Sequence, residues 1–134
     1  MLKAGDAAVL PQPGNQTPHL WFALSDADQG GYAVIVNVTT LRPRADRTVI
    51  LSPGDHPFIR HDSVASFQDA RIANVALLEQ KIGELAGAHR ERSCSAELLA
   101  RLIRGALESP HTKRKIKEKL RLAPGGAAPA ARGQ

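Results

Sequence analysis

The chain has 134 residues, with 18 Lys and Arg against 13 Asp and Glu and a formal net charge of +5. That length suits one domain with an appendage and excludes large barrels and two-domain dinucleotide enzymes. At 43% apolar residues a real core is possible, whereas 4% aromatics is too few for an aromatic stacking platform on single-stranded nucleic acid.

The lone Cys94 excludes a disulfide framework and a thiolate zinc site, and fits a reducing compartment. No apolar run reaches membrane-spanning length, and the N-terminal MLKAGDAAVL lacks the pattern of a signal peptide. The expectation is a soluble cytoplasmic protein with no membrane partner. The Asn-x-Thr triplets at Asn15 and Asn37 are then incidental.

Charge divides the chain in two. Residues 1–72 hold 6 Lys and Arg and 7 acids, whereas residues 73–134 hold 12 and 6, so the positive balance lies in the second half. Every Asp precedes residue 73 and every Glu follows it. Asp favours turns and Glu favours helix interiors, so the first half reads as strands and turns and the second as helices.

In chain order, strands are expected at Ala7–Leu10, Leu20–Leu24, Tyr32–Thr39 and Thr48–Leu51, with a fifth near Ser63–Phe67. Turn clusters such as Pro11-Gln12-Pro13-Gly14 and Ser52-Pro53-Gly54-Asp55 separate them. Short strands at this spacing suggest a small antiparallel barrel. Val75, Leu78, Ile82 and Leu85 then share one helix face, with Gly87 as its cap. Ser95 is the N-cap of a second helix, whose stripe is Leu98, Leu99, Leu102, Ile103, Ala106 and Leu107. His111–Leu122 reads as a short basic helix with Ile116 and Leu120 on one side and charges all round, and Pro124 onward as a low-complexity tail. The expected division is a barrel with its following helix over 1–88, additional helices over 89–122 and a tail over 123–134.

The order of signals resembles the MazF/PemK (Kid) family of bacterial toxin endoribonucleases over about residues 3–85. The carriers are Lys3-Ala4-Gly5-Asp6 before an apolar strand, and Thr17-Pro18-His19-Leu20-Trp21-Phe22 opening a second strand. They continue with Val38-Thr39-Thr40 ending the third strand and Ser63-Val64-Ala65-Ser66-Phe67-Gln68 later on. The resemblance implies an α+β fold, an SH3-like antiparallel barrel with C-terminal helices. It also implies a homodimer, cleavage of single-stranded RNA and inhibition by an antitoxin. The family's catalytic Arg before the strand-opening Pro is Thr17 here, while its hydroxyl position maps onto Thr39 or Thr40.

Metal-free RNA cleavage needs a base for the ribose 2′-OH, an acid for the leaving 5′ oxygen and a cation for the phosphorus oxygens. The segment Gly54–Ser63 packs two His and one Arg into six residues. His56 and His61 are the acid–base candidates and Arg60 the phosphate clamp, with His19 and Thr39 or Thr40 completing the site. Each has a plainer alternative: His56 as a solvated turn residue, Arg60 as an ion pair to Asp62, His19 and the threonines as ordinary strand residues. Trp21 and Phe22 read as core, His89 and His111 as solvated linker residues. His56 and His61 lie outside any helical metal-ligand spacing, so no metal and no cofactor are expected.

Lys113, Arg114, Lys115 and Lys117 of the basic helix are candidates for RNA backbone contact, or for an acidic partner, or simply form a solvated face. The function expected is a toxin-like, metal-independent endoribonuclease acting on single-stranded RNA. The alternatives are a non-catalytic RNA-binding module on the same barrel and a CcdB-type toxin aimed at a protein. The latter family uses a C-terminal Trp, whereas the only Trp here is Trp21.

Overall fold

A computed structural model describes residues 2–12 and 15–123. Its strands are β1 (Ala7–Gln12), β2 (Asn15–Ala23), β3 (Tyr32–Thr40), β4 (Ile50–Leu51), β5 (Ser63–Asn74) and β6 (His89–Glu91). Helix α1 (Val75–Glu84) lies between β5 and β6, and α2 (Ala96–Glu108) and α3 (Arg114–Leu122) follow. The strands form one antiparallel sheet in the order β4-β5-β3-β2-β1-β6, curled into a half-barrel. The fold is therefore α+β, with an antiparallel sheet first and two helices at the end.

Strand alternation builds two cores, because successive side chains point to opposite faces. On β2 and just past its end, Leu20, Phe22 and Leu24 face one cluster, whereas Trp21 and Ala23 face the other. On β3, Val34, Val36 and Val38 join the first, and Ala33 and Ile35 the second. Helix α1 covers the second, outer face through Val75 and Leu78. Helices α2 and α3 fill the inner face through Leu98, Leu102, Ile103, Ala106, Ile116 and Leu120, which pack in one cluster with Phe22 and Phe67. Burying each large aliphatic side chain contributes about 1.5–3 kcal/mol. The last two helices thus belong to the main core.

Local chemistry sets the helix ends. Asn74 accepts from the Leu77 N–H at 3.1 Å and Ser95 from the Leu98 N–H at 3.0 Å, capping α1 and α2. Gly105 lets α2 approach the sheet: a Cβ there would lie 2.3 Å from Val49 Cγ2 and 3.0 Å from Phe67 Cζ.

Several boundaries differ from the sequence expectation. β5 runs on to Asn74 where a strand near Ser63–Phe67 is expected, and β2 begins at Asn15. β4 is reduced to Ile50–Leu51. Helix α1 ends at Glu84, and Gly87, with φ +85°, forms the turn into β6. β6 itself is unexpected: His89–Glu91 carry no strand pattern but pair with β1 at Val9↔His89 and Ala7↔Glu91. The charges of α3 do not run all round it: Ile116 and Leu120 are fully buried, and Lys119 is partly buried against Asp28. The expected tail beyond Ala123 lies outside the described residues.

Candidate functional site

The sheet is interrupted where β3 meets β5. The register passes from Ile35↔Arg71 to Asn37↔Ser66, so β3 advances two residues while β5 advances five. Within this bulge Phe67 and Ala70 turn into the core, and Gln68 and Asp69 turn out to solvent. The gap opens a cavity of about 600 Å3, with Asn37, Val64, Ser66 and Phe67 in its wall. The loop after β3 supplies Arg42 and Arg44, and His111 stands beside them.

A second cavity, of about 410 Å3, shares His19, Thr39, Thr40 and Arg42 with the first and adds Arg60 and His61. The two form one continuous groove across the ends of β2 and β3. Five of the six expected catalytic residues therefore meet: His19, Thr39, Thr40, Arg60 and His61. Thr40 Oγ1 and His61 Nε2 are hydrogen-bonded at 3.0 Å. His19 donates from Nδ1 to the Val38 carbonyl at 3.2 Å, which leaves Nε2 as its unused ring nitrogen. Arg42, Arg44 and Arg60 are exposed, and among the described residues none of them pairs with a carboxylate. Arg60 in particular makes no ion pair with Asp62.

Asp46 holds the arginine-bearing loop in place. It accepts from Ser109 Oγ at 2.6 Å, the Thr48 N–H at 2.9 Å and Thr48 Oγ1 at 2.5 Å. Partial burial pushes its carboxyl pKa up, but the bonds from Ser109 and Thr48 outweigh that and leave it below the usual range.

His56 is the exception among the expected site residues. It is 2% exposed, and its ring stands edge-on to Phe22 with centroids 5.3 Å apart. Its Nδ1 accepts from the Phe58 N–H at 3.0 Å, so the ring hydrogen sits on Nε2, which donates to the Arg92 carbonyl at 2.6 Å. Both nitrogens are occupied, and His56 lines neither cavity of the groove. The His56 expectation is corrected accordingly: the side chain clips the 52–59 turn to the segment before α2. That clip, with Arg101 bonded to the Ile50 carbonyl at 2.7 Å, sets where Arg60 and His61 emerge.

The basic helix only touches the groove. Lys113 donates to the Gln68 carbonyl at 3.0 Å, beside the first cavity. Arg114 faces Glu118 at 3.7 Å on its own helix, and Lys119 is paired with Asp28. Lys115 lies beside Asp26 and Asp28 at another surface depression, and Lys117 lines neither groove cavity.

Cys94 is half-buried, and burial pushes its pKa up to about 11, so its basic neighbours do not activate it. Among the described residues no cluster of three His, Cys, Asp or Glu side chains could hold a metal, and no helix is long and apolar enough to cross a membrane. Sequence reading missed Asn37, Arg42, Arg44 and His111 as site residues; the pair of like charges in Arg42-Pro43-Arg44 after a strand was the available signal.

The fold and groove define a class: an α+β protein with a curled antiparallel sheet and a cationic, His- and Thr-lined groove at one sheet end. The sequence matches no family model and no curated protein, and the structure matches no solved structure.

Proposed function

We propose that this chain is a toxin-like, metal-independent endoribonuclease acting on single-stranded RNA, with its sheet a divergent SH3-like barrel of the MazF/PemK kind. The observation that carries the reading is the convergence of His19, His61, Thr40, Arg60 and Arg42 on one cavity. Arg42 and Arg60 supply the planar donors that match phosphate oxygens. One histidine takes the 2′-OH proton, the 2′ oxygen attacks phosphorus, and the bond to the 5′ oxygen breaks as the other histidine protonates it. The products are a 2′,3′-cyclic phosphate and a 5′-OH. Thr40, bonded to His61, fixes the ring that it touches. The reading includes a homodimer in the cytoplasm, held in check by an antitoxin.

The test is incubation of purified protein with a long single-stranded RNA in EDTA, beside His61→Ala and His19→Ala. The expected result is cleavage by the wild type that falls at least about 100-fold in each variant. Equal cleavage by all three proteins overturns it. Binding that depends on Arg42 and Arg60 without cleavage by any protein makes the chain an RNA-binding module instead. The substitution of Thr17 for the family's catalytic Arg favours that second reading.

A further inference from the structure

One polar side chain is left unused by the groove as described. Asn37 is 4% exposed, and its Oδ1 has no hydrogen-bond partner among the described residues. A buried acceptor without a partner is destabilising, so its retention on a strand of valines and isoleucines needs a reason outside the fold.

Its surroundings say what it lacks. Asn37 lies opposite Ser66 in the register, at the edge of the β5 bulge. Ser66 gives its hydroxyl hydrogen to Asp69 Oδ2 at 2.7 Å, and so has none for Asn37. Asp69 is itself acceptor-only when ionised. Neither Ser66 nor Asp69, its neighbours at the bulge, therefore offers Asn37 Oδ1 a hydrogen. Val64 and Phe67 add apolar surface to the same cavity, and the unpaired Arg42 and Arg44 stand at its mouth. A planar ring bearing N–H donors, attached to a phosphate, satisfies all three needs.

We infer that the cavity beside the β5 bulge is a nucleobase pocket, in which Asn37 Oδ1 and Asp69 accept the hydrogens of an exocyclic amino group. Adenine, cytosine and guanine carry that group; uracil carries carbonyls in its place, which would face the Asp69 carboxylate. The inference rests on the reading of the groove as an RNA site. It gives that site a selectivity against uracil at the nucleotide seated on Asn37.

The experiment separates binding from cleavage by using noncleavable 2′-O-methyl tetranucleotides, one of uracil alone and others with one A, C or G. Fluorescence anisotropy on the wild type should show roughly tenfold tighter binding when an amino-bearing base is present. Asn37→Val should abolish that preference, so that amino-bearing and uracil oligonucleotides bind the variant alike, held by Arg42 and Arg44 through phosphate. Its melting temperature should hold or rise, because a partnerless buried acceptor is removed. Asp69→Asn, at an exposed position, provides a second variant and should weaken the preference in the same direction. Equal affinity for all oligonucleotides, or a preference that survives both substitutions, overturns the pocket. If no oligonucleotide binds, titration with AMP, CMP, GMP and UMP decides. An Asn37-dependent response to the first three alone upholds the pocket and overturns the RNA reading; no response to any overturns both.

Discussion

Replacing His56 by Ala tests whether the two histidines of one short segment do different jobs. The ring is buried, and its loss leaves the Phe58 N–H and the Arg92 carbonyl without partners. Each such group costs about 1–3 kcal/mol, and the edge-on contact with Phe22 accounts for about 0.5–1.5 kcal/mol more. Phe58 and Arg92 are themselves exposed, so water recovers some of this, and the sum lies at roughly 2–5 kcal/mol. That is a large share of the ~5–15 kcal/mol that holds a domain folded. At about 4 °C per kcal/mol for a chain of this size, the melting temperature should fall by roughly 8–20 °C. His61→Ala, at an exposed position, should stay within about 0.5 kcal/mol of the wild type. Thermal melts followed by circular dichroism compare the two directly. A His56→Ala protein that melts within about 2 °C of the wild type, or that keeps its fold and loses cleavage as His61→Ala does, refutes the assignment of His56 to structure.

Further outcomes follow from other contacts. Gly105→Ala gains helix propensity of about 1 kcal/mol but drives a Cβ into Val49 and Phe67, so a net loss of about 1–2 kcal/mol is expected in urea denaturation; an increase in stability means that the α2–sheet approach is looser than described. Cys94, with its pKa raised to about 11, should resist iodoacetamide at pH 8 in the folded protein and react on unfolding. Its thiol keeps its proton in the folded state after the unfolded chain has lost it. Stability from this group is therefore complete below about pH 8.5 and declines as pH rises toward 11, and Cys94→Ser should remove that part of the decline. RNA affinity should fall with salt at a logarithmic slope of about −2, as three groove arginines imply for a single strand. Arg42→Ala with Arg44→Ala should remove about 1.4 of that slope, and Lys115→Ala with Lys117→Ala should leave it unchanged; the opposite pattern moves the RNA onto α3.

The legible parts of the sequence were those governed by local rules. Ser95 reads as a cap because its hydroxyl needs only the N–H three residues on. The Val/Ile-rich Tyr32–Thr39 reads as a strand because β-branching suffices, and the strand observed runs one residue further, to Thr40. The cluster of Arg60 and His61 near Thr40 was legible through chemistry and resemblance together. What stayed hidden depends on distant partners. His56 has the setting of a surface turn, and only Arg92, 36 residues away, and Phe22 make it a buried clip. His89–Glu91 become a strand because β1 offers an unpaired edge, not because of their own propensity. The length of β5 was masked because its middle, Gln68-Asp69, is exposed and breaks the alternation.

That break in alternation is also where the site comes from. A continuous β3–β5 ladder would pair every backbone group and leave Asn37 on a closed face. The bulge instead spreads β5 away from β3 and leaves a gap lined by side chains of both strands. The gap adjoins the strand end that carries Thr39, Thr40 and His19, and the loop pinned by Asp46 brings Arg42 and Arg44 over it. Groove cations thus come from the first half of the chain, whose net charge is negative, whereas on α3 Arg114 faces Glu118 and Lys119 is paired with Asp28. Net charge locates a basic helix, but it does not locate the place where unpaired arginines stand beside His19, His61 and Thr40, which is the groove.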